Sequence, residues 1–174
     1  WHGHELIFGY GAAALGGFFL TAVPNWTGAK AARHLFIATV ACLWLAGRLA
    51  MWFSASLPPV AVAAVDLAFL PVLAAKIATQ LVRSPKPQNM IFLGFISLVW
   101  VANLMTHLEW AGQTSDTAIA GLHAGIYALG AMIAVVGGRV TPAFTRNAML
   151  RDGIEHGLPV SRPYFELPAV IVFA

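Results

Sequence analysis

The chain opens WHGHELIFGY, which sets His2, His4 and Glu5 beside Trp1 at the head of a long apolar run. Neutral imidazole ligates haem iron and copper, and a neighbouring carboxylate can orient the ring from behind. On a helix, positions 2 and 4 diverge by about 200°. His2 and His4 therefore meet at one metal only if Trp1 to His4 is non-helical; otherwise His4 faces the bundle and His2 sits at its lip. His34, His107, His123 and His156 complete a set of six histidines. Arg48 and Asp66 are charges placed inside apolar stretches, equidistant in sequence from Leu57. Cys42 is the single cysteine, which excludes an internal disulfide, a zinc cluster of cysteines and covalent c-type haem.

These residues must be positioned by membrane helices. The chain is 59% hydrophobic and 10% charged, with a mean hydropathy of +0.76, whereas a soluble domain carries roughly 25% charged residues. Its net charge of +3 is scattered between apolar blocks, so no nucleic-acid surface is implied. About 20 apolar residues cross the hydrocarbon core. Five stretches qualify, Glu5 to Val23, Leu35 to Phe53, Leu57 to Val82, Met90 to Trp110 and Ala118 to Val136, and a sixth begins near Leu167. The connections are PNWTG, SLPP, RSPKPQN, AGQTSD and a longer polar segment from Thr141 to Glu166. The fold expected is an all-α transmembrane bundle forming one domain. The first residue is not methionine and the chain stops inside the apolar run LPAVIVFA, so it is expected to be a piece of a longer chain.

Basic residues stay on the cytoplasmic side. Lys30 and Arg33 mark the first connection, Arg83 and Lys86 the third, and Arg139, Arg146, Arg151 and Arg162 the fifth, while the second and fourth carry none. This orientation puts the residue 1 end on the outer face. It also sorts the histidines: His2, His4, His107 and His123 fall in the outer layer, and His34 and His156 on the inner side. His107 and His123 are equidistant from Ser115 across the fourth connection, which predicts equal depth on antiparallel helices. Trp100, Asn103, His107 and Trp110 share one face of the fourth span; Ala120, His123, Tyr127, Gly130 and Ala134 share one face of the fifth.

Histidines at matched depth on facing helices suit a b-type haem. Taken singly, a histidine at a helix end is more often an interfacial side chain bonded to backbone or water; it is the four in one layer, with Asn103 nearby, that favour ligation. Arg48 and Asp66 form either a structural ion pair or a group that tunes a cofactor, binds a propionate or relays protons. The glycines at Gly9, Gly16, Gly121, Gly125 and Gly130 read first as close helix packing and second as clearance for a porphyrin. Trp1, Trp52 and Trp110 fit an interfacial aromatic belt.

WHGHELIFGY, GGFFLTAVPNWTG, LWLAGR and GLHAGIYALGAMIAVVGGRVTPAFTRNA together resemble the NnrS family of bacterial inner-membrane proteins. The resemblance implies a haem- and copper-containing protein of about twelve helices, associated with tolerance of nitric oxide and nitrosative stress, with helices before Trp1 and after Ala174. His2, His4, Arg48, His123 and Arg139 lie within the matching motifs; His107 rests on its depth. The leading expectation is a membrane protein that handles nitric oxide. It binds haem b through two or more of His4, His107 and His123, with Arg48 and Tyr127 as further cofactor contacts and copper at His2 and His4. The alternatives are a cytochrome b-like subunit passing electrons between quinol and a redox partner, and a transporter relaying protons or ligand through histidine, Arg48 and Asp66.

Overall fold

The computed structural model describes residues 1–83 and 85–160, and the regular structure among them is all helical. Among the described residues five helices are long and apolar enough to cross a membrane: α1 (His2–Thr27), α2 (His34–Trp52), α3 (Pro59–Leu81), α4 (Pro87–Trp110) and α5 (Thr117–Arg151). Each covers one of the five apolar stretches; the sixth, near Leu167, lies outside the described residues. The chain divides into two compact units, Trp1–Ile126 and Tyr127–Ala174.

The helix ends follow local chemistry. Pro59 and Pro87 sit in first turns, where a missing N–H costs nothing. α1 runs on through Pro24 to Thr27 and stops where Gly28 takes a left-handed φ of 69°. PNWT is therefore helical rather than connecting, because a proline in a long packed helix forfeits only one backbone bond.

Two irregular turns matter for the site. Glu5–Gly11 is π-helical, and the Gly9 carbonyl accepts the Trp44 indole N–H at 2.9 Å. Pro71 has no N–H to offer Leu67, and α3 is interrupted at Ala68. The Leu67 carbonyl instead accepts the Trp100 indole N–H at 3.0 Å. In each case an indole from a neighbouring helix binds a carbonyl in a distorted turn, which ties α1 to α2 and α3 to α4.

Phe19, Leu73, Ile77, Phe92, Ile96 and Val99 are fully buried in the first unit, and Trp26 stacks on Phe92 with centroids 5.1 Å apart. In a bilayer such contacts act through packing rather than exclusion of water, so small residues decide how closely helices approach. A Cβ at Gly47 would stand 3.1 Å from Asp66 Oδ1, and one at Gly121 only 2.5 Å from the Ala102 carbonyl. Glycine at these positions brings α2 against α3 and α5 against α4.

In the second unit α5 continues to Arg151. The polar connection expected from Thr141 is thus helical over its first eleven residues. Pro142 lies inside this helix at the loss of one backbone hydrogen bond, and the residues that follow include good helix formers. Gly153, at φ 76°, ends the helix. The Ile154 N–H then donates to the Met149 carbonyl at 2.9 Å, the six-residue closure that usually accompanies such a glycine.

Candidate metal centre

The first turn of α1 is helical from His2 to His4, so the two imidazoles diverge: His4 is buried and His2 is exposed. α2 contributes Arg48, α3 contributes Asp66, and α4 contributes Asn103 and His107 one turn apart. The side chains of His4 and Asp66 are completely buried, and His107 is 3% exposed. A cluster of polar groups this deep in an apolar bundle is costly unless each group is partnered.

Asp66 is the centre of the network. Its Oδ1 accepts from Arg48 Nη2. Its Oδ2 accepts from Asn103 Nδ2 at 2.8 Å and from His107 Nε2 at 2.9 Å, and lies 3.4 Å from His4 Nε2. Because the Asn103 amide nitrogen is committed to Asp66, its oxygen faces His4, where Nε2 donates at 2.8 Å. The other ring nitrogen, Nδ1, donates to Glu5 Oε1 at 3.2 Å. Arg48 Nη1 donates to that same Glu5 oxygen. Trp110 closes the cluster, its ring 5.1 Å from His4 and 5.6 Å from His107.

Two features favour a cation here. Two carboxylates, Glu5 and Asp66, face one guanidinium, leaving an excess negative charge for a proton or a metal to neutralise. The geometry also converges: one donor atom from each of His4, Asp66 and His107 lies within 4.8 Å of the others. Donors bound to a cation at about 2.1 Å with tetrahedral or square angles stand roughly 3.0 to 3.4 Å apart. The two nitrogen-to-oxygen separations about Asp66 Oδ2 are 2.9 and 3.4 Å.

Of the residues singled out in the sequence, His4, His107 and Arg48 come together; His2 and His123 are outside the metal-ligating group. His123 is exposed because Gly121 and Gly125 occupy the packed face of α5, against Ala102 and Phe8, and position 123 points away from both. The glycine stripe determines which face of α5 is turned inward. Tyr127 is exposed and belongs to the second unit. Asp66 was legible as the partner of Arg48 but not as a potential ligand. Its equal distance from Leu57 indicated depth, whereas its convergence with His4 requires the packing of α1 between α2 and α4.

A model of the family described as NnrS protein matches residues 1–174. Comparison with curated proteins and with solved structures gives no match. The match spans the opening histidines, Arg48, Asp66 and the α4 pair Asn103 and His107, and on it this chain belongs to the NnrS family.

Proposed function

We propose that this chain carries a copper centre in a bacterial inner-membrane protein that handles nitric oxide, with His4, Asp66 and His107 as ligands. The observation that carries the reading is the convergence of two imidazole nitrogens and one carboxylate oxygen in a buried, negatively biased cluster. Membership of the NnrS family fits a membrane protein linked to the nitric oxide response. For a nitrogen and oxygen donor set, affinity among divalent first-row metals peaks at copper. Copper bound there would supply one-electron redox chemistry and an open position for a small ligand. The chain's own groups do the rest: Glu5 fixes the His4 ring through Nδ1, Asn103 holds Asp66, Arg48 balances the carboxylates, and Trp110 packs against both imidazoles.

Haem b is the second cofactor of this reading. Axial imidazoles stand on opposite faces of a porphyrin. His4 and His107, with centroids 5.3 Å apart and both beside one carboxylate oxygen, fit a single small cation better than an iron between them. Haem would be held through a single imidazole, and His123 on α5 is the candidate. The orientation of the bundle supports a periplasmic position for the Trp1 end. Lys30, Arg33, Arg83 and Lys86 lie in connections at the opposite end, and positions 53–58 and 111–116 carry no basic residue.

Metal analysis and electron paramagnetic resonance of the purified full chain test the proposal. Stoichiometric copper is expected, lost in Asp66→Asn and in His107→Ala, with a copper signal that changes on adding nitric oxide. Copper retained in both variants would overturn the ligand assignment. Iron in place of copper would assign the donor set to non-haem iron chemistry. A signal indifferent to nitric oxide would overturn the function.

A further inference from the structure

A cavity of about 430 Å³ lies beside His107, lined also by Trp1, Met51, Ala55, Val62 and Trp110. We propose that it binds the ring of a membrane quinone, set one imidazole away from the metal position. The inference rests on the copper reading only for what the ring would lie next to.

Size, lining and connection point to the same occupant. A water molecule takes a share of about 30 Å³, so the space is an order of magnitude larger than a diatomic gas needs, and it lies within the range of pockets for organic ligands. Tryptophan, methionine and valine offer flat and polarisable surface to a neutral ring. Among the described residues no charged side chain lines the cavity, which disfavours anionic substrates. His107 is the buried polar group on its wall. Its Nε2 is committed to Asp66. The imidazole on this wall offers a quinone or quinol oxygen a hydrogen-bonding partner in a mostly apolar lining. Quinones are uncharged, planar and soluble in the bilayer, and they carry the ring oxygens this wall would bind.

Quenching of tryptophan fluorescence by decylubiquinone, measured on the full chain in detergent, provides the test because Trp1 and Trp110 line the cavity. Saturable quenching is expected. Ala55→Phe and Val62→Phe, which push a ring into the space, should weaken it at least tenfold while copper content stays at the wild-type level. Quenching that rises linearly without saturation, or saturable quenching unchanged in both variants, would overturn the proposal. Saturable, variant-sensitive quenching in protein that binds no copper would uphold the quinone site and refute the copper centre alone.

Discussion

Gly9 leaves open the space in which the Arg48 guanidinium lies: a Cβ at position 9 would stand 2.7 Å from Arg48 Nη1 and 3.2 Å from Glu5 Oε2. Arg48 reaches both carboxylates of the cluster across this gap. Gly9→Ala is therefore expected to displace the guanidinium and destabilise the bundle by about 1–3 kcal/mol, the usual cost of overpacking. Gly17→Ala is the control, since nothing lies within 4 Å of a Cβ there; it should be neutral or slightly stabilising. Thermal unfolding in detergent reads both, and equal midpoints for the two variants would refute the steric account.

Arg48 stands between two carboxylates, so removing it is worse than removing either partner. Arg48→Met strips the guanidinium from Glu5 and from the completely buried Asp66, at a cost of about 3–5 kcal/mol. Asp66→Asn leaves Arg48 still paired with Glu5 and should cost less. If the cluster is a cation site, added copper will raise the unfolding midpoint of Arg48→Met by more than it raises that of the wild type, because the ion then supplies the missing positive charge. Equal shifts would argue that Arg48 and the ion act independently.

Much of this was readable from composition and spacing, and what was not depended on rotation. Five spans follow from apolar length, and the pairing of Arg48 with Asp66 follows from their equal distance to Leu57. Depth is encoded in sequence distance from a turn, so His107 falls correctly at the Trp1 end of α4. Rotation about the helix axis is set by which face packs, and hydropathy is nearly uniform around membrane helices. His107 consequently meets His4 from α1 rather than His123 from α5. Gly121 and Gly125 were visible as a stripe, but only their contacts with Ala102 and Phe8 reveal that this stripe, not the histidine face, turns inward. The helical course from Thr141 to Arg151 was hidden by its polar composition, which marks the end of an apolar span but not the end of a helix.

Metal uptake should release a proton. Both ring nitrogens of His4 face acceptors, Glu5 Oε1 at 3.2 Å and Asn103 Oδ1 at 2.8 Å, so Nε2 donates in the metal-free cluster. A metal needs the lone pair at that nitrogen, and Nδ1 is already committed to Glu5. Calorimetric titration with copper in two buffers of different ionisation enthalpy should give heats that differ by about one proton's worth per ion. Heats that agree across buffers would mean that His4 already presents a free lone pair. The hydrogen-bond assignment at Asn103 would then be reversed.

His107 and His123 provide the sharpest separation between depth and facing. Both lie near the Trp1 end of adjacent helices, yet His107 is buried against Asp66 and His123 is exposed on α5. His107→Ala removes a ligand atom and should abolish copper binding, whereas His123→Ala should leave copper content unchanged. Glu5→Gln tests the support behind the ligand: the His4 ring keeps a hydrogen-bond partner but loses the charged one, and copper affinity should fall about 10- to 100-fold, as it does when such outer partners are altered elsewhere. Competition titrations against a chelator of known affinity measure all three. Copper lost in His123→Ala but retained in His107→Ala would mean that α5 turns its histidine face inward, with the Gly121 contact against Ala102 opened to allow it.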